Sequence, residues 1–467
     1  MIRKSLYTIL MLLTCSLASA QSLDNNTQLS VMRELICNVS NHTQYISNED
    51  FKTMIIIPTN DGMLSYIDPC SYKSPTLANI WEIKYNDNGK LMAAIYECEY
   101  NSNTNRWEKL SDTPIKTINS SIEAFRERTK HLLRNIIIKG DYVDGQFYYK
   151  TMNNMIVRID GVDVNSNIYG PYQMENNAPL KIIETFVENG CRYLVVDGPI
   201  MGSRKPVNML LADKPELSKF SEIVQACCIH KNLGNNHAST PFDGEGNLSY
   251  YQPVFSTLKK AKPQYYKRSL LFDKGNHTIY APTNAAMEEA FAKGLPTLDH
   301  LSAAEKYDAQ LAEMGEVGDS ALKIIEVMAD FVRYHIQDFS IMIDKNTQGG
   351  KYNTAKNIFV KETMLDNIGY EYEGYNVTGR TYRLNVEASE SSLKVTDALG
   401  NKRKVIKENG LYNMVCTEYW VRNINYSPTN SIATVSTVVV HAIDGPLLFS
   451  DDQFIFECKE AKYYKEQ

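Results

Sequence analysis

Runs of apolar residues that stop abruptly dominate the chain's pattern. Met54-Ile55-Ile56-Ile57 ends at Pro58-Thr59-Asn60, and Thr278-Ile279-Tyr280-Ala281 ends at Pro282-Thr283-Asn284. Four apolar residues before a proline predict a buried strand that must stop there, because proline lacks a ladder donor and restrains its predecessor. The Thr or Asn that follows suits the orphan amides of a helix start, so Pro58-Thr59-Asn60 and Pro282-Thr283-Asn284 read as strand-stop and helix-cap devices. Helix-like stretches follow at Met63 to Ile67 and Ala285 to Ala292. Two further apolar runs end alike: Arg192-Tyr193-Leu194-Val195-Val196 at Asp197-Gly198-Pro199, and Val438-Val439-Val440-His441-Ala442-Ile443 at Asp444-Gly445-Pro446. Asp-Gly after a β-branched run predicts a tight turn between buried strands, with the carboxylate capping the reversal locally.

These markers recur in the same order, 139 residues apart from Pro58 to Asp197 and 162 from Pro282 to Asp444. Ordered recurrence predicts a duplicated unit. Between the markers, amphipathic patterns predict helices over Ile122 to Ile138 and Leu322 to Ile336. Period-two strands follow, such as Tyr382 to Val386 and Leu393 to Val395, with a turn at Leu399-Gly400-Asn401-Lys402 before Val405 and Ile406. The order of helix, strand, helices and several strands predicts an α+β class.

The markers resemble the fasciclin-like domain family, in two tandem copies of a bacterial secreted type. Its three signatures are a strand ending in a Pro-Thr-Asn-like turn, a Tyr-His pair closing a helix, and a strand ending in Ile-Asp-Gly. The second unit carries all three, the middle one as Tyr334-His335; the first has Asn135-Ile136 there instead. The resemblance implies that each unit is a mixed β-sheet or sandwich wedge with packed helices. It places the units at residues 28–204 and 215–455, with a linker from Lys205 to Pro215. Both exceed the family's usual length, so insertions are expected at 81–118, with the hairpin signal Tyr85-Asn86-Asp87-Asn88-Gly89-Lys90, at 234–268 and at 295–320. Long insertions predict surface loops, where specificity tends to sit.

Charge and composition narrow the function. The chain has 467 residues, 43% hydrophobic and 22% charged, as in globular proteins. Arg3 and Lys4, the apolar stretch Leu6 to Leu17 and Ala18-Ser19-Ala20 predict a signal peptide over 1–20 and export to the periplasm or cell surface. An alternative is lipid attachment at Cys15, within Leu12-Leu13-Thr14-Cys15. Without Arg3 and Lys4, 47 basic residues face 55 acidic ones, a net −8 that argues against nucleic acid. No apolar run after the leader is long enough to span a bilayer. The cysteines beyond Ala20 form no Cys-x-x-Cys pair, so structural zinc is not expected and no disulfide is assigned.

No Gly-x-Ser-x-Gly, His-Glu-x-x-His, phosphate loop or EF-hand series is present, so no catalytic, metal or cofactor site is expected. His335 and His441 are read as hydrogen-bonded core residues, with a catalytic or metal pair as the alternative; by the duplication their counterparts are the apolar Ile136 and Leu194. Thirty tyrosines include Tyr250, Tyr251, Tyr265 and Tyr266, in the expected insertions, and Tyr370 and Tyr372. A flat face with a polar rim suits sugars and protein interfaces, so the first four are candidate ligand contacts. Lys402, Arg403, Lys404 and Lys407 read as a solvated edge guarded against pairing. The expected role is a non-catalytic adhesion or ligand-binding protein contacting extracellular matrix, polysaccharide or an envelope protein. The rivals are an accessory subunit of an outer-membrane glycan-uptake system and a hydrolase using His335 and His441.

Overall fold

The computed structural model describes residues 22–39, 52–72, 74–228, 276–316, 318–356, 359–362, 370–373, 382–422 and 431–455. The leader with Cys15, the expected insertion at 234–268 and Tyr250, Tyr251, Tyr265 and Tyr266 lie outside these residues.

The strands of the first half are, in chain order, β1 (Thr53–Pro58), β2 (Tyr66–Ile67), β3 (Leu77–Tyr85), β4 (Leu91–Asn101), β5 (Arg106–Lys109), β6 (Lys116–Asn119), β7 (Ile137–Lys139), β8 (Tyr148–Lys150), β9 (Ile156–Ile159), β10 (Asn167–Tyr169), β11 (Leu180–Glu188) and β12 (Cys191–Val196). Those of the second half are β13 (His277–Pro282), β14 (Ile336–Asp338), β15 (Gly350–Asn353), β16 (Phe359–Glu362), β17 (Tyr370–Glu373), β18 (Arg383–Ser389), β19 (Ser392–Thr396), β20 (Lys402–Lys404), β21 (Met414–Arg422) and β22 (Ser431–Ile443). Helices and sheets mix in both halves, an α+β architecture.

Each half is organised by its first and last long strands. β1 lies parallel to β12 and antiparallel to β7; β13 lies parallel to β22 and antiparallel to β14. Every residue of β1 and β13 is buried, as expected of strands covered on both faces. The registers correspond residue by residue. Pro58 faces Val196, the residue before Asp197, and Pro282 faces Ile443, the residue before Asp444. Ile55 faces Ile137 and Ile279 faces Ile336, which makes Ile136 the counterpart of His335.

The correspondence continues around each sheet. The first half runs β7-β1-β12-β11-β10-β9-β8, and a bridge between Ile138 and Thr151 brings the edge strand β8 back to β7. In the second half β14-β13-β22-β21 and β15-β18-β19-β20 are separate sheets, joined by bridges from Gln337 to Thr354 and from Val405 to Ile443. The split has a local cause. β11 makes one continuous pairing with β12 through a bulge between Ile182 and Glu184. The matching chain leaves the sheet after Val405 and returns at Met414, so a loop stands where the first half has a bulge.

The predicted helices begin and end close to expectation but stop sooner. The helix Glu123–Ile136 gives way to β7, and Ser320–Tyr334 to β14. The β-branched run Ile136-Ile137-Ile138 explains the first change, since those residues fit a pleated sheet better than a helix. Met63 to Ile67 is a 3-10 turn, Gly62–Ser65, followed by β2. Asp197-Gly198 and Asp444-Gly445 do not join two strands, because each closes the last strand of its unit.

The expected insertions are not simple loops. Residues 81–118 belong to a sheet of order β2-β3-β4-β5, with β6 beside β4, and its Trp81 packs against Phe125 of the helix Glu123–Ile136. The hairpin signal is its β3–β4 turn, where Asn86 Oδ1 accepts from the amides of Asn88 and Lys90. Residues 295–320 contain the helix Leu298–Glu313, capped by Thr297 and buried through Leu301, Ala304 and Leu311. The stretch read as a linker contains the helix Val207–Ala212, whose Val207 and Leu211 join the second core. Arg403 is also not a solvated edge residue: in β20 it donates to Pro446 O at 3.0 Å and pairs with Glu289 at 2.7 Å.

The halves meet through buried polar contacts around an apolar patch of Ile156, Met342, Val415 and Val439. Asn154 O accepts from Asn276 Nδ2 at 2.8 Å and from Thr437 Oγ1 at 2.9 Å, while Asn276 Oδ1 accepts from Thr437 N at 3.0 Å. Ser203 Oγ accepts from Thr417 N at 2.8 Å. No described helix is long and apolar enough to cross a membrane. Replacing Asn276 by Ala strands a buried amide at this junction and should cost about 1–3 kcal/mol in urea unfolding; an unchanged midpoint and slope would show that the junction does not depend on it.

Candidate functional site

The nominated motif residues are structural devices, and the same device appears twice. Thr59 Oγ1 accepts from Gly62 N at 3.1 Å, and Thr283 Oγ1 from Ala286 N at 3.3 Å, so threonine is the cap. Asparagine does something else. Asn60 Oδ1 accepts from Val31 N at 3.0 Å while its Nδ2 donates to Thr27 O at 2.9 Å and Ser30 Oγ at 3.0 Å. Asn284 Oδ1 accepts from Lys219 N at 3.0 Å while its Nδ2 donates to Pro215 O at 2.8 Å and Ser218 Oγ at 3.1 Å. Both clamp the entry of the helical segment that opens the unit, using partners at identical spacing. The cap reading therefore holds for threonine and is corrected for asparagine.

Asp197 and Asp444 are also pins rather than local turn caps. Lys181 N donates to Asp197 Oδ1 at 3.0 Å and Lys404 N to Asp444 Oδ1 at 2.8 Å, across 16 and 40 residues of chain. Each carboxylate thus fixes the end of the last strand to its neighbour. Gly62 packs where a Cβ would stand 3.0 Å from Asp197 O and 3.1 Å from the Cα of Gly198, which brings the strand stop and the strand end together.

Tyr334, His335 and His441 have no solvent exposure. Tyr334 donates to Arg383 O at 3.3 Å and accepts from Ala398 N at 2.9 Å. His335 Nδ1 faces Phe331 O at 2.8 Å and its Nε2 accepts from Leu447 N at 2.9 Å, which fixes the Nδ1–H tautomer. His441 Nε2 faces Ile341 O at 2.8 Å and its Nδ1 accepts from Asn413 N at 3.2 Å, fixing the opposite tautomer. All four ring nitrogens are engaged by backbone, which leaves neither ring a nitrogen to serve as base or ligand. Burial lowers the pKa of His335 to about 3 and of His441 to about 4. Ile136 and Leu194 are equally buried in the first half, so apolar residues do the same packing there. Among the described residues no group of three or more His, Cys, Asp or Glu is placed to hold a metal.

A cleft of about 470 Å³ lies between the halves. It is lined by the segment around β8, from Gln146 to Lys150, and by the loop Phe339 to Gln348 with Tyr352. Its volume falls within the roughly 300–1,000 Å³ of small-molecule sites. Asp344 holds the two walls together: its carboxylate accepts from Phe147 N at 3.0 Å and Tyr148 N at 2.8 Å, across the junction. Burial raises the pKa of the Tyr148, Tyr149 and Tyr352 phenols, which therefore remain neutral hydrogen-bonding groups.

One residue of this cleft has an unusual backbone. Phe339 has φ +65°, whereas every other described non-glycine residue at positive φ is asparagine. A bulky side chain in that region is a strained outlier, costing about 1–3 kcal/mol. Its counterpart one residue past β7 is Gly140, at φ +101°. Thr278 holds the strained loop by donating to Phe339 O at 2.8 Å and accepting from Ile341 N at 2.9 Å. The tyrosines singled out in sequence are not these, since cleft residues come from segments some 200 positions apart. The available signal was the alignment of Lys139-Gly140 with Asp338-Phe339.

No protein-family model matches the chain, and no curated protein matches it. Among solved structures, the chain is similar to a FAS1 domain pair from the insect cell adhesion molecule fasciclin I, at 13% identity and a TM-score of 0.26, over 92% of this chain and 99% of that one. At that score the likeness adds no weight to the duplicated registers.

The histidines make stability depend on pH. His335 and His441 bind protons more weakly in the folded chain than at the ordinary value of 6.5. Their contribution is therefore intact above about pH 6.5 and is lost as pH falls, by up to ~1.4 kcal/mol per pH unit for each. Unfolding free energies measured between pH 7 and 5 should decline with acid; a flat profile would contradict the buried neutral rings.

Proposed function

We propose that this chain is an exported, non-catalytic adhesion or ligand-binding protein built from two fasciclin-like units, attaching to a glycan or protein at the cell envelope. The reading is supported above all by the repeated architecture, in which a proline stop, threonine cap, asparagine clamp and aspartate pin occupy matching places in both halves. The motif residues that could have signalled catalysis are spent within each unit. The resemblance of those motifs to fasciclin-like domains supplies the adhesive role, and the leader supplies the compartment; the ligand has to be argued from the site itself. This reading places recognition in the cleft between the units, because side chains from both units line it. Periplasm or cell surface fits the leader equally, and Cys15 offers a lipid anchor for the surface.

The test is an array of immobilised glycans and matrix proteins probed with the full mature chain. Retention on at least one component is expected, with no turnover of it. A folded chain that binds nothing on the array, or that cleaves what it binds, would overturn the proposal.

A further inference from the structure

The geometry points to the cleft between the two units as a binding site for a neutral saccharide of one or two rings, with Phe339 as the face on which a ring stacks. This inference rests on the binding role proposed above and adds the class of ligand and the residues that select it. Its starting point is the internal comparison between the halves. At the position just past the strand paired with β1 or β13, both copies turn through positive φ, +101° at Gly140 and +65° at Phe339. Glycine adopts that conformation freely and phenylalanine does not. The scaffold thus accepts glycine here, and one copy carries an aromatic ring against its backbone preference.

A ring retained at a cost has to act through its side chain, and this one lines the cleft. It sits edge-on to Tyr352, with centroids 6.2 Å apart, so two aromatic groups stand on the same wall. Phe339 is half-buried, unlike the fully buried Phe331, and lines the recess. The remaining lining selects the ligand. Gln348 brings an amide that is both donor and acceptor, as a row of hydroxyls requires, and beside it Asn346 donates to Gln146, whose own Nε2 donates to Tyr148 O. The charged groups are one carboxylate, Asp344, and one ammonium, Lys150. Asp344 is already engaged by the amides of Phe147 and Tyr148, so the recess has no excess charge to attract an ion. It is too polar for a lipid chain. Apolar ring faces with amides at their rim match a sugar, which presents C–H groups on its faces and hydroxyls at its edge.

The experiment uses the full mature chain and four neutral disaccharides, maltose, cellobiose, lactose and N,N′-diacetylchitobiose, read by saturation-transfer NMR and titration. At least one should bind, and its Kd should rise tenfold or more in Phe339→Gly and in Tyr352→Ala. Thermal unfolding checks the strain itself: Phe339→Gly should melt above Phe339→Ala, because both lose the ring and only glycine relieves the backbone, while the loss of binding in a folded Phe339→Gly is what a merely structural ring would not produce. Binding unchanged in Phe339→Gly, no binding by any of the four, or a lower melting point for glycine than for alanine would each overturn the inference. Should Phe339→Gly fail to fold, Tyr352→Ala and Gln348→Ala decide in the same way. Retention on the array that is indifferent to Phe339 would sink this inference and leave the adhesive role standing, whereas disaccharide binding beside a blank array would sink attachment to an envelope component and leave ligand binding at this site.

Discussion

Each half depends on one pairing: its first strand lies parallel to its last, with the rest of the unit strung between them. A parallel pair cannot be closed by a short hairpin, so the pairing of β1 with β12, or of β13 with β22, closes the long stretch of chain between them. β1 and β13 are buried throughout, and their ends therefore need definite stops. Proline terminates the first strand, and the aspartate after the last strand reaches the neighbouring strand's amide. Threonine then starts the next turn, and asparagine reaches back to the unit's opening helical segment. Four short residues thus tie the beginning, the middle and the end of a unit to one corner.

With that corner fixed, the two halves differ elsewhere. The first unit keeps β11 continuous and adds the layer β2 to β6; the second opens the strand into a loop whose Asn413 reaches both His441 and Ile343. The first uses Ile136 and Leu194 where the second buries His335 and His441. A core position that accepts either an aliphatic chain or a satisfied imidazole is a packing position. Phe339 differs in kind, because there the less comfortable residue was kept.

The corner was legible because a Pro-Thr-Asn stop after one apolar run and an Asp-Gly stop after another recur in the same order. Helix ends were legible to within two residues, their errors coming from β-branched isoleucines that the sheet claimed. The role of Asn60 and Asn284 was not legible: an asparagine beside a helix start reads as a cap, and only the fold shows that it faces a different helix. Helix Leu298–Glu313 is not foreseen although Thr297, Leu301, Ala304 and Leu311 carry a cap and an apolar stripe, because length alone places the segment among the insertions. Of the cleft, only the exchange of Gly140 for Phe339 was open to the sequence, since its walls are brought together by the packing of one unit on the other.

The most direct measurement is the stability of Asn60→Ala, Asn284→Ala and the double variant by urea unfolding. If both asparagines perform one inherited task, each single change should cost a similar amount, about 1–3 kcal/mol, and the two losses should add. A substantial loss at one site with none at the other would show that the two corners are not equivalent, and the account of a copied unit would fail.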